Sequence, residues 1–93
     1  MSTTEGAARA TQSSRILFVK NLSYTTSGAD LYGLFGKYGA IRQIRLGDDS
    51  AQGKKTKGTA FVIYEEVADA KRALDGLNGY NLNERYIVGE WSR

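Results

Sequence analysis

Lys57-Gly58-Thr59-Ala60-Phe61-Val62-Ile63-Tyr64 is the stretch whose reading decides the fold. After its glycine it alternates small or branched residues with aromatics, which is the pattern of a strand whose two faces meet different surroundings. Ala60, Val62 and Tyr64 fall on one face, and Thr59, Phe61 and Ile63 on the other. Working outward, Arg15-Ile16-Leu17-Phe18-Val19-Lys20 is a second strand of the same kind, with Leu17 and Val19 on one side and Ile16, Phe18 and Lys20 on the other. Ile41, Ile44 and Leu46 mark a further strand with Gln43 and Arg45 opposite them, and a last strand is expected near Tyr86 to Trp91.

Two helical patterns lie between these strands. Ser27-Gly28-Ala29-Asp30 has the spacing of a capping box, and Leu31, Leu34, Phe35 and Tyr38 recur at helical spacing before Gly39. Val67, Ala70, Leu74 and Leu77 form a second stripe, closed by Gly76 and Gly79. The order strand, helix, strand, strand, helix, strand predicts an α+β, ferredoxin-like βαββαβ sandwich: a four-stranded antiparallel sheet with both helices on one face. The first and third strands are then central neighbours, and the second face of the sheet stays uncovered.

With 93 residues the chain holds one domain. Residues 1–14 are small and polar and read as a disordered arm, leaving residues 15–93 as the domain. Cysteine and histidine are both absent, which excludes disulfides, thiolate metal sites and the commonest general base. No metal, cofactor or small-molecule substrate is expected. No apolar run approaches the ~20 residues of a membrane helix, and the first residues lack a signal-peptide pattern. The net charge of +3 says little, but its layout says more. Arg42, Arg45, Lys54, Lys55 and Lys57 crowd one stretch against Asp48 and Asp49, whereas Glu65, Glu66, Asp69, Asp75, Glu84 and Glu90 fall in the second half.

Parity places Phe18 and Phe61 side by side on the uncovered face, bordered by Lys20, Arg45 and Lys57. Such a pair offers stacking surfaces for bases, with cations for phosphates. Two other readings of the pattern stay open: a pair of core aromatics, or a patch covered by another polypeptide. Lys54, Lys55 and Lys57 read first as a solvated loop and second as an RNA-backbone contact. Trp91 can cap the core, stack on a base or pack under a partner, and packing is favoured. Gly89 admits a close neighbour or marks a bulge.

Leu17-Phe18-Val19-Lys20-Asn21-Leu22 resembles the hexamer motif of the RNA-recognition-motif family, and Lys57 to Tyr64 resembles its octamer motif. The likeness runs from about Arg15 to Trp91. It implies stacking roles for Phe18 and Phe61 and a phosphate-contacting role for Lys57. Thr59 departs from the pattern, standing where the family has an aromatic, and puts multi-base readout in doubt. The runs Arg42-Gln43-Ile44-Arg45 and Gly58-Thr59-Ala60, followed by Asp69-Ala70-Lys71, resemble one subfamily closely. These are the small, branch-site-contacting subunits of the spliceosomal splicing factor 3b complex.

That resemblance implies a nuclear pre-mRNA splicing protein without enzymatic activity. It would meet the intron branch-site region, and its branch-point adenosine, through Phe18. A large helical-repeat scaffold subunit of the same complex would cover much of the sheet. The usual aromatic at Phe18 is tyrosine, so one hydroxyl is missing. The RNA-binding set is Phe18, Phe61, Thr59, Lys57, Lys20 and Arg45, and candidates for the protein interface are Ile63, Tyr86, Val88 and Trp91. The rival readings are a general single-stranded RNA binder and a purely protein-binding variant of the fold. Acylphosphatase-like catalysis is disfavoured because residues 21–27 carry no arginine for a phosphate loop.

Overall fold

Ile16–Lys20 forms β1 and Ala60–Tyr64 forms β3, and the two pair antiparallel with Phe18 opposite Phe61 and Leu17 opposite Val62. The computed structural model describes residues 13–47 and 57–92. Of the expected N-terminal arm, residues 1–14, all but the last two lie outside the described residues, as does the Lys54–Lys55 pair. Ser14 is described and anchored: its hydroxyl donates to the Ser92 carbonyl at 2.7 Å and accepts from the Ile16 N–H at 3.0 Å.

The remaining elements are α1 (Gly28–Phe35), a 3-10 turn (Gly36–Tyr38), β2 (Ile41–Leu46), α2 (Val67–Leu77), β4 (Asn81–Leu82), β5 (Arg85–Tyr86) and β6 (Val88–Trp91). The four-stranded sheet runs β2-β3-β1-β6, which confirms the expected ferredoxin-like order with β1 and β3 at its centre. The capping box forms as its spacing predicts. Ser27 Oγ accepts from the Asp30 N–H at 3.2 Å, while Asp30 Oδ2 accepts from the Ser27 N–H at 3.1 Å.

One layer of core lies between sheet and helices. Leu17, Val19, Ala60, Val62 and Tyr64 meet Leu31, Leu34 and Phe35 of α1, and Ala70, Ala73 and Leu77 of α2. Tyr64 is fully buried, and its hydroxyl donates to the Phe35 carbonyl at 2.6 Å, tying the third strand to the end of the first helix. Burial raises its pKa well above the usual tyrosine value, with the Asp69 carboxylate adding to the effect.

Three sequence expectations change in detail. The last strand is shorter than Tyr86 to Trp91: it begins at Val88, and Tyr86 pairs instead with Asn81 in a separate two-residue ladder. The turn of that ladder holds Asn83 and Glu84 at φ +53° and +67°, the left-handed geometry of a tight hairpin. Gly76 does not end the second helix, which runs through it to Leu77. A Cβ at Gly76 would sit 2.4 Å from Tyr38 Oη, so the glycine is there to let that ring approach. On the same helix Val67 is exposed and Ala73, which the stripe omitted, is fully buried.

In β2, Ile41 and Ile44 are three residues apart yet both pack toward the core. Ile41 opposes Tyr64 and Gln43 opposes Ile63, so Arg42 is an extra residue in a bulge. Its guanidinium points to Glu65 Oε1 at 3.3 Å.

Candidate nucleic-acid interface

Because opposed residues of an antiparallel pair share a face, the registers build the open surface row by row. The central row is Arg45, Phe61, Phe18 and Glu90, contributed in order by β2, β3, β1 and β6. The two rings lie 4.9 Å apart between centroids and 39° from coplanar, a tilted pair on the open face. Phe61 is 39% exposed. Their neighbours on the same strands, Leu17 and Val62, are buried. The core reading of these phenylalanines is therefore excluded, and the sequence parity holds at both.

Charge is distributed unevenly about this row. Arg45, Lys57 and Thr59 line a cavity of about 500 Å³ together with both phenylalanines. On the other side of Phe18 stands an acid, Glu90, paired with Lys20 at 2.5 Å. The sequence set places Lys20 among the phosphate contacts; in the structure its ammonium is neutralised by Glu90. Cationic character is thus concentrated at Arg45 and Lys57. Glu90 escaped the sequence reading because its neighbour in space lies 72 positions earlier. The parity of the last strand, counted from Trp91, was the signal that could have found it.

Thr59 sits at the mouth of the same cavity, where its backbone carbonyl accepts from the Gly47 N–H at 2.9 Å. Lys57 N–H donates to the Gly47 carbonyl at 3.1 Å, so Lys57 is held at the cavity rim.

The four interface candidates do not form one patch. Ile63 is opposite Ile16 on the open face, beside a cavity of about 190 Å³ that Arg45, Phe61 and Ser92 also line. Val88 is opposite Lys20, at the other end of β1 from Ile16, and is 41% exposed. Tyr86 is exposed on the β4–β5 hairpin. Trp91 opposes Leu17 and, partly buried, packs against the core on the helix side. Gly89, opposite Val19, lies against Leu74, whose Cδ1 would be 3.1 Å from an added Cβ; it admits a close neighbour rather than a bulge.

A second cavity, of about 490 Å³, opens beyond Thr59 at the end of the sheet. Asn21, Ser23 and Tyr24 wall it from the loop after β1, Lys57 and Gly58 from the start of the third-strand motif, and Arg85 from β5. Among the described residues no group of histidines, cysteines or carboxylates could hold a metal ion, and no helix is long and apolar enough to cross a membrane.

With this geometry in place, comparison with known proteins decides the family. The model of the RNA recognition motif matches residues 17–88, which takes in both helices, β2, β3, all of β1 but Ile16, and Val88 of β6. The chain belongs to the RNA recognition motif family. Relatives of this RNA recognition motif include splicing factor 3B subunit 6-like proteins of Arabidopsis thaliana and Schizosaccharomyces pombe. The first is 53% identical over 74 residues, covering 80% of this chain and 56% of the relative; the second is 53% identical over 73 residues, covering 78% and 60%. The nuclear cap-binding protein subunit 2 of Homo sapiens is 40% identical over 75 residues, covering 81% of this chain and 47% of that protein. The chain thus spans between half and two thirds of the length of the splicing-factor relatives.

Among solved structures, a Sxl-lethal protein/RNA complex superposes with a TM-score of 0.80 at 30% identity, covering 87% of this chain and 48% of the other. The penultimate RNA recognition motif of RBM19 gives 0.81 at 29% identity, covering 87% and 85%. The resemblance to the splicing factor 3b subunit rests on residues spread over the whole fold, from β1 to α2.

Proposed function

We propose that this RNA recognition motif is an RNA-binding subunit of the nuclear pre-mRNA splicing machinery. In this reading it meets the intron branch-site region while docked on a large helical-repeat scaffold subunit of the splicing factor 3b complex. The observation that carries the reading is the central row of the open face. Two tilted phenylalanines stand beside cations on one flank, an acid stands on the other, and Thr59 occupies the position where a further aromatic would extend the platform. A base stacked on Phe18 would have its phosphates on the Arg45 and Lys57 side, because the Lys20–Glu90 pair leaves no net positive charge on the other. The likeness to splicing factor 3B subunit 6-like proteins supplies the process.

The contact is narrow, about one base, and binding is its purpose. Most of the affinity for the assembly then comes from protein, for which the apolar open-face residues Ile16, Ile63 and Val88 offer area on either side of the aromatic pair. A pull-down from nuclear extract with the tagged chain, with and without nuclease, tests this. A large scaffold protein retained after nuclease is the expected result. Recovery of RNA with no nuclease-resistant protein would favour a general single-stranded RNA binder instead.

A further inference from the structure

The cleft beyond Thr59 is separate from the aromatic platform yet shares Lys57 and Thr59 with it. Three features set it apart from an ordinary surface groove. No acidic side chain occurs among the described residues that line it, while two cations, Lys57 and Arg85, do. An aromatic, Tyr24, is 52% exposed at its wall, and its ring lies against Gly58, where an added Cβ would be 3.6 Å from Tyr24 Cε1. Gly58 has φ +94°, so this position favours glycine, and its carbonyl accepts from the Leu22 N–H at 3.0 Å to join the two walls.

The third feature is rigidity. Asn21, Asn83 and Glu84 are the positive-φ non-glycine residues among those described, and all three lie in the loop after β1 or in the β4–β5 turn. Such backbone persists where the surroundings hold it. Here Asn21 Nδ2 donates to the Tyr86 carbonyl at 2.8 Å, and Arg85 Nε donates to the Asn21 carbonyl at 3.3 Å. Arg85 Nη2 also donates to Asn21 Oδ1, and Asn83 Nδ2 to Oγ1 of the fully buried Thr26 at 3.1 Å. The hairpin is thereby clamped to the loop, and the cleft between them is preformed. A guanidinium carries donors beyond those that Arg85 directs at Asn21.

We infer that this cleft is a second nucleotide subsite. It holds the RNA nucleotide that adjoins the base on Phe18, with the intervening phosphodiester at Lys57, the base beside Tyr24 and Arg85 donating to it. The inference rests on the proposed RNA contact at Phe18 and extends it by one nucleotide, away from the Ile16–Ile63 row and toward the Val88 end of β1. A stacked base is typically worth ~1–3 kcal/mol, so occupancy of the subsite should raise affinity about 5-fold or more.

Nuclear magnetic resonance titration of the intact chain with adenosine monophosphate and with di- and trinucleotide RNAs is the test. The mononucleotide should move signals around Phe18 and Phe61; the dinucleotide should also move those of Asn21, Tyr24 and Arg85 and bind about 5-fold tighter. Tyr24→Leu should remove that gain and leave the mononucleotide response unchanged. Equal affinity across the series, with Phe18 signals moving and the cleft still, would overturn the subsite while leaving the platform intact. Cleft signals that respond to RNA while Phe18 stays silent would instead overturn the platform reading and keep the cleft as an RNA site. Because the length series uses the unaltered chain, the outcome does not depend on the variant folding. Movement of cleft signals only on adding the scaffold protein would make the cleft a protein interface and overturn the inference.

Discussion

The two faces of β1 and β3 are built from alternate residues of the same ten, and they behave as different materials. On the helix side Leu17, Val19, Ala60, Val62 and Tyr64 are at most 1% exposed. On the other side Phe18 and Phe61 have comparable or greater apolar area yet remain accessible, with charged neighbours and no covering element among the described residues. Burial of apolar area is what stabilises the fold. Area left in water on a strand face beside cations does little for stability and is available to a ligand. The difference teaches that hydrophobicity does not tell core from site in this sheet; parity and topology do.

Breaking the covered face should have the largest effect. Leu17→Ala removes a buried side chain from the layer between sheet and helices and should cost about 2–5 kcal/mol in a urea titration. A loss under ~1 kcal/mol would mean that the helix-side core is looser than its burial indicates. Tyr64→Phe is gentler. It keeps the ring but removes the hydrogen bond that the hydroxyl donates to the Phe35 carbonyl at 2.6 Å, and should cost about 0.5–1.5 kcal/mol by the same measurement.

The open face sharpens the contrast in the opposite direction. Glu90→Gln releases Lys20 from its ion pair and removes the acid beside Phe18. Both groups are about half exposed, so stability should barely change, while RNA affinity should rise by up to about 5-fold at low salt. Fluorescence anisotropy over a salt series checks this; an unchanged affinity would place the phosphates beyond reach of Lys20.

The smallest effect concerns pH. The buried Tyr64 hydroxyl keeps its proton in the folded state at pH values where the unfolded chain loses it. Below the ordinary tyrosine pKa of 10.0 both states are protonated and this group adds no pH dependence. Above it the unfolded state binds fewer protons, so stability falls as pH rises. Tyr64→Phe should flatten that alkaline decline in melting experiments.

How much of this was legible follows from what each feature depends on. Phe18 beside Phe61 was readable because β1 and β3 alternate without interruption and the element order makes them neighbours. The bulge at Arg42 was hinted at by two isoleucines three apart, a spacing no regular strand can place on one face. The β4–β5 hairpin was missed because its turn uses Asn83-Glu84 rather than a residue pair with glycine, so local turn chemistry gave no mark. Absorbing Tyr86 into the last strand followed from that. The Lys20–Glu90 pair and the clamp of Arg85 on Asn21 join residues more than 60 positions apart. Only strand order and register bring them together, and those become visible in the folded chain.

The central claim is that Phe18 is a binding residue on a face that the fold does not need. Its most direct test is Phe18→Ala, read by RNA binding and by thermal unfolding of the same preparation. The account predicts a loss of RNA affinity of about 1–3 kcal/mol with Tm changed by no more than a few degrees. A sharply lowered Tm with RNA binding unaffected would contradict it and return Phe18 to the core.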